Sequence, residues 1–130
     1  MSAVEPATSV LISRDLFFTS KVTGTAQALG ISLRVVGSVA QALELVAERP
    51  CPCVLVDLAD PGLDVTQLVQ QLPSAPGPRV VAFGSHVATA RLEEARSAGC
   101  TEVLPRSRFS AELPELLKKY AGGSSHAAPT

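Results

Sequence analysis

The chain has 130 residues, 46% hydrophobic and 18% charged, which is enough to close one core and too few for two ordinary domains. Eleven basic against twelve acidic residues leave a formal net charge of −1, which carries no electrostatic footprint for nucleic acid or an anionic membrane. No apolar stretch approaches the roughly 18 residues needed to span a bilayer. The start of the chain, with Glu5 and Pro6, lacks the basic-then-apolar order of a secretory signal, so a cytoplasmic protein is expected.

Residues 1–8 and 122–130 are rich in Ser, Ala, Pro, Thr and Gly and are expected to be disordered ends flanking one domain over 9–121. Val10-Leu11-Ile12 is an apolar run too short for a helix and reads as a buried strand. Phe18, Val22, Ala26 and Leu29 then mark one face of a helix that Gly30 stops. Leu33 to Val36 predicts a second strand, near an edge because it carries Arg34. Ser38 with Gln41 forms a capping box for a helix whose stripe is Val39, Leu43 and Val46.

Pro50 closes that helix. Cys53 to Val56 is continuously apolar, as a central strand covered on both faces requires, and it ends abruptly at Asp57. Asp60-Pro61-Gly62 is turn chemistry, and Asp64 is placed to cap a short helix through Val65, Leu68, Val69 and Leu72. A Pro/Gly-rich loop over Pro73 to Pro78 leads to a fourth strand, Val80 to Phe83. Ala88, Leu92 and Ala95 predict a fourth helix ending at Gly99. Val103-Leu104 reads as a fifth strand at the sheet edge, because Pro105 lacks the donor a central strand needs. Ser110 is expected to cap a last helix with Leu113, Leu116, Leu117 and Tyr120 facing inward. Pro114 falls in its first turn.

Five strands each followed by a helix imply a doubly wound, mostly parallel sheet with helices on both faces. In such sheets chemistry gathers beyond the carboxyl ends of the central strands. Those ends carry Ser13-Arg14-Asp15, Asp57, Gly84-Ser85-His86 and Arg106, and this cluster is the candidate functional face. The first strand is followed by no glycine-rich phosphate loop. Cys51, Cys53 and Cys100 show no metal-ligand rhythm, Cys51-Pro52-Cys53 being one residue short of Cys-x-x-Cys, so three reduced thiols are expected. Lys118-Lys119 reads as a solvated helix face, His86 as a surface residue and Phe109 as a packing residue.

Val54-Leu55-Val56-Asp57-Leu58-Ala59-Asp60-Pro61-Gly62-Leu63-Asp64 resembles the strand, phospho-accepting aspartate and turn of the receiver domains of bacterial response regulators. The likeness extends over nearly the whole order of elements. It implies a flavodoxin-like three-layer sandwich with strand order 2-1-3-4-5 and Asp57 at the phospho-acceptor position. The same resemblance exposes departures. The adjacent acids that usually follow strand one fall on Arg14 and Asp15. The hydroxyl that usually ends strand four falls on Gly84, with Ser85 one step on. The usual lysine after strand five falls on Arg106, with Arg108 in reach of a one-residue shift.

Aspartyl phosphorylation needs a divalent ion, and magnesium wants an oxygen shell that includes one or two carboxylates. Asp15 and Asp57 are the only metal ligands on offer, whereas an arginine supplies no acceptor. A single positive charge about 4 Å from a divalent ion costs roughly 8 kcal/mol at an effective dielectric near 20. Magnesium binding is therefore expected to be weak and no other cofactor is implied. Arg14 and Arg106 are instead candidates to pair with Asp57 or Asp15, each replacing the ion with a fixed guanidinium.

The first functional expectation is an atypical, non-enzymatic receiver-like module acting through protein–protein contact, with a histidine kinase or a second copy among the partner classes. By resemblance, the contact surface would comprise about Ala88 to Ala98, Thr101 to Pro105 and Ser110 to Tyr120. The alternative is a working response regulator phosphorylated on Asp57 by a histidine kinase. A third class, a small-anion or flavin module held by Arg14 and Arg106, is disfavoured by an aromatic content of only 4%.

Overall fold

The structure, a computed structural model, describes residues 7–73 and 77–122. Most of the two expected ends and part of the Pro73–Pro78 loop lie outside these residues. Thr8, assigned above to the disordered end, belongs to the domain instead. Its N–H donates to the Pro50 carbonyl at 3.0 Å, and its hydroxyl lies 3.2 Å from that of Ser32.

Five parallel strands, β1 (Ser9–Ile12), β2 (Leu33–Val36), β3 (Cys53–Asp57), β4 (Arg79–Gly84) and β5 (Glu102–Pro105), pair in the order β2-β1-β3-β4-β5. The register sets Ile12 beside Val56, Asp57 beside Phe83 and Gly84 beside Pro105. Arg34 and Pro105 thus sit on the two edge strands, where an exposed charge and a missing donor are tolerated. The strands alternate in facing. Leu11, Leu55, Val81 and Phe83 point to one side and Val10, Val54, Val56, Val80 and Ala82 to the other, so the sheet sustains two separate cores.

The first core is closed by α1 (Leu16–Ala28) and by the last helical stretch of the chain. The second is closed by α2 (Val39–Glu48), α3 (Val65–Gln71) and α4 (Thr89–Ala98). Local chemistry fixes the helix ends. Asp15 accepts from Phe18 N, Ser38 from Gln41 N and Asp64 from Gln67 N, each an N-cap satisfying an otherwise orphaned donor. Gly30 and Gly99 close α1 and α4 with φ of 73° and 98°, a backbone region that side chains with a Cβ enter only with strain.

The end of the chain departs from expectation. The helix starts at Arg106, directly after Pro105, and not at Ser110. It runs as α5 (Arg106–Ala111), breaks at Glu112, resumes as α6 (Leu113–Leu116) and widens into a π-helical turn over Leu117–Ala121. Pro114 explains the break, since it cannot donate to the carbonyl four residues earlier. Arg106-Ser107-Arg108 carries no apolar periodicity, which hid the first turn of this helix. Leu113, Leu116, Leu117 and Tyr120 are nonetheless buried as the spacing predicted. Ser110 caps nothing; its hydroxyl accepts from Lys21 Nζ at 2.9 Å.

Candidate functional site

The parallel register carries the chain ends of β1 and β3 to the same level, so the residue after Ile12 meets the residue after Val56. Ser13 and Asp57 are therefore neighbours, both buried, and the Ser13 hydroxyl donates to Asp57 Oδ2 at 2.7 Å. Asp57 is 3% exposed, and a buried carboxylate must be met by donors or it will not stay charged at low cost. Three donors supply this through four contacts. Besides Ser13, Ala59 N–H donates to Oδ1 at 3.0 Å, and Arg106 Nη2 lies 3.0 Å from both oxygens.

Arg106 reaches the pocket because α5 begins at its own residue, turning the side chain back toward β1 and β3. Its Nη1 also donates to Asp15 Oδ2 at 3.3 Å, so one guanidinium bridges two carboxylates. Beneath it lies an aromatic floor. The guanidinium carbon sits 4.3 Å from the Phe18 ring centroid and 5.7 Å from that of Phe83, and Phe83 stacks on Phe109 at 4.1 Å. A planar, weakly hydrated cation suits such a floor better than a compact ammonium would.

Arg14 behaves differently. It is exposed, and among the described residues it forms no hydrogen bond or ion pair. It lines the rim of the hollow that holds Asp15, Asp57 and Arg106, and does not pair with either acid. The reason is alternation: Ser13 faces inward at the strand end, so the next side chain faces out. Ser13, grouped in the candidate face but given no role there, is thus the residue that meets Asp57. Extending the parallel strands by one residue past their apolar runs would have assigned that role.

The other expected pocket members are at the rim or absent from the chemistry. Ser85 is exposed and accepts from Val87 N at 3.3 Å within a turn, while Ala88 occupies the α4 cap without a side-chain bond. Gly84 is buried against Leu58: a Cβ built there would lie 3.2 Å from the Leu58 Cβ. Arg108 points elsewhere and pairs with Glu112 at 2.8 Å, so Arg106 is the arginine of this helix that pairs with Asp57. His86 and the Lys118-Lys119 pair are exposed, and Phe109 is fully buried.

The carboxylate oxygens that a magnesium ion would use are engaged by donors of the chain itself. Asp15 spends Oδ1 on the α1 cap and Oδ2 on Arg106, and both oxygens of Asp57 are already committed. Among the described residues no three His, Cys, Asp or Glu side chains gather as a metal site. The three thiols are free, and burial pushes those of Cys51 and Cys100 up to about 11, so none is primed as a nucleophile. For Cys51, hydrogen bonds from the backbone oppose part of that rise.

This architecture, with an aspartate at the end of the middle strand, defines the receiver class of doubly wound folds. No family model and no curated protein sequence matches the chain. Solved structures do. The chain is similar to the receiver domain of the sensor histidine kinase PA1611 from Pseudomonas aeruginosa, determined with magnesium coordinated in its active-site cleft. That match has TM-score 0.74 and 17% identity, covering 92% of this chain and 100% of that one. It is similar to the signal receiver domain of NarL from Mycobacterium tuberculosis, with TM-score 0.70 and 25% identity over 92% of this chain and 99% of that one. A third likeness, with TM-score 0.72 and 13% identity, is to a chain of the co-crystal of the histidine phosphotransfer protein Ypd1 and the receiver domain of Ssk1 from Saccharomyces cerevisiae, over 93% of this chain and 92% of that one. The chain has the receiver fold.

Proposed function

We propose that this protein is a receiver-fold signalling module that works by binding a protein partner, with its Asp57 pocket held in one state by Arg106 and not switched by magnesium-dependent phosphorylation. The observation that carries the proposal is Arg106 Nη2 set against both oxygens of Asp57, each contact at 3.0 Å, with the guanidinium over the Phe18 ring. A fixed internal cation satisfies the carboxylate that an incoming metal and phosphoryl donor would need to share. Displacing it requires breaking charge-assisted bonds and leaving a guanidinium beside a divalent ion. The module has no catalytic group in this reading and is not an enzyme.

Action in the cytoplasm is part of this reading; no helix among the described residues is long and apolar enough to cross a membrane. The Ypd1–Ssk1 co-crystal is a precedent for a receiver fold bound to a phosphotransfer protein, and a kinase or phosphotransfer partner is the class proposed here. The surface formed by α4, β5 and the final helices is the proposed contact face.

The test is incubation with acetyl phosphate and magnesium, followed by intact mass measurement. The expected spectrum shows no adduct. A phosphate adduct that disappears in Asp57→Asn would overturn the proposal and establish the second reading, a response regulator phosphorylated on Asp57. That reading draws on the position of Asp57 at the end of β3 and on the magnesium in the Pseudomonas neighbour.

A further inference from the structure

A second guanidinium holds the loop that follows Asp57. Arg91 rises from the first turns of α4 with its side chain 24% exposed. Its Nε donates to the Leu58 carbonyl at 3.3 Å, and its Nη2 to the carbonyls of Asp60 at 2.9 Å and Leu63 at 3.0 Å. Nη1 is held by Glu94 at 3.1 Å, one helical turn on. The loop is pinned from within as well. Leu58 N–H donates to the Phe83 carbonyl at 2.9 Å, and Leu63 N–H to the Asp60 carbonyl at 3.1 Å. Between the two carbonyls that Arg91 grips first, Leu58 and Asp60, lies Ala59, and its N–H is one of the three donors on Asp57.

We propose that Arg91 is a positioning residue for Asp57: by fixing the carbonyls on either side of Ala59 it keeps that N–H aimed at Asp57 Oδ1 and couples the pocket to α4. This rests on the reading of Asp57 as the centre of the functional pocket. An arginine suits the task because its donors form a rigid fork that no pH in the working range will deprotonate. A lysine on the same stem offers a point charge and cannot meet three diverging carbonyls with the same geometry. Because coupling is reciprocal, anything that displaces α4 changes the donors on Asp57, and anything that frees Asp57 loosens α4. The two guanidinium groups divide the work: Arg106 neutralises the carboxylate and Arg91 holds its backbone donor.

Amide hydrogen exchange followed by NMR tests this on the full chain. In Arg91→Gln, exchange at Ala59 and Leu63 is expected to accelerate on the order of tenfold or more, while Leu55 and Val81 in the sheet stay within about twofold. Arg91→Lys is expected to fall between parent and Arg91→Gln, and Glu94→Gln to remain near the parent. An equal acceleration across loop and sheet would mean general destabilisation and would overturn the proposal, as would an unchanged Ala59. The phosphorylation assay on the parent protein is independent of this outcome. An adduct there would remove the unswitched reading and leave the Arg91 coupling standing, whereas unchanged loop exchange would remove the coupling alone.

Discussion

Leu58 closes the end of β4 against Gly84: a Cβ on Gly84 would stand 3.2 Å from Leu58 Cβ and 3.5 Å from its Cδ1, with Leu92 at 3.6 Å. The space where the receiver resemblance leads one to expect a hydroxyl is thus filled by a leucine that is itself 3% exposed. Gly84→Ser is expected to destabilise the fold by about 1–3 kcal/mol through overpacking. Leu58→Ala should cost about 2–5 kcal/mol alone. The double variant should lose less than the sum, because Leu58→Ala keeps the Cβ at 3.2 Å but clears the Cδ1 at 3.5 Å, giving the new hydroxyl room. Urea denaturation of the four proteins measures this, and strict additivity would show that the two positions do not compete for space.

Ser13 contributes the shortest hydrogen bond to Asp57, inside the protein and to a charged acceptor. Ser13→Ala leaves Asp57 with two donors, the Ala59 N–H and Arg106 Nη2, and a void the size of a hydroxyl. A loss of about 1.5–3 kcal/mol is expected from denaturant midpoints, with the slope of the transition unchanged. A loss below about 0.5 kcal/mol would show that water or Arg106 makes good the missing donor.

Arg106→Met keeps the apolar stem on the Phe18 floor and removes the charge. Breaking a buried ion pair costs about 3–5 kcal/mol. The Arg106 side chain is 29% exposed, so water enters when it leaves and a loss nearer about 2 kcal/mol is expected. In the same variant, added magnesium should raise the melting temperature, whereas the parent should not respond. A parent that magnesium stabilises as strongly as Arg106→Met would refute the role given to Arg106.

The thiols give a pH-dependent prediction. Burial raises Cys51 and Cys100 from an ordinary 9.0 to about 11. At pH 8 their alkylation by iodoacetamide should be about 100-fold slower than that of a free thiol of pKa 9.0, climbing about tenfold per pH unit toward 11. The sign for stability follows. Between pH 9 and 11 the folded chain keeps protons that the unfolded chain has released, so stability is full below pH 9 and falls as pH rises. Rapid labelling at pH 8 would show these sites to be open to solvent.

Much of the fold was legible because its signals are local. Leu33 to Val36 and Cys53 to Asp57 are bounded by turn residues and lack helical spacing, and the structure places β2 and β3 on those residues. The capping residues Ser38 and Asp64 announced α2 and α3. The first turn of α5 was illegible, since two arginines and a serine carry no periodic burial. In the site, the strand ends brought Ser13, Asp57 and Arg106 into one cluster, and a family resemblance gave Asp57 and Arg106 their roles. Ser13 received none, because a hydroxyl at a strand end looks like a boundary until the neighbouring strand's register is known. Arg91 was invisible for a similar reason. Its partners are main-chain carbonyls about 30 positions away, and a charged residue on an amphipathic helix ordinarily faces solvent.

The aromatic floor under Arg106 has a consequence for biosynthesis. Phe18, Phe83 and Phe109 come from near the beginning, the middle and near the end of the chain, and the cation they support follows β5. As the ribosome delivers the polypeptide from its N-terminus, Asp57 emerges well before the guanidinium that will neutralise it. The carboxylate therefore stays hydrated until the segment after β5 has been made, and its withdrawal from water waits for Arg106.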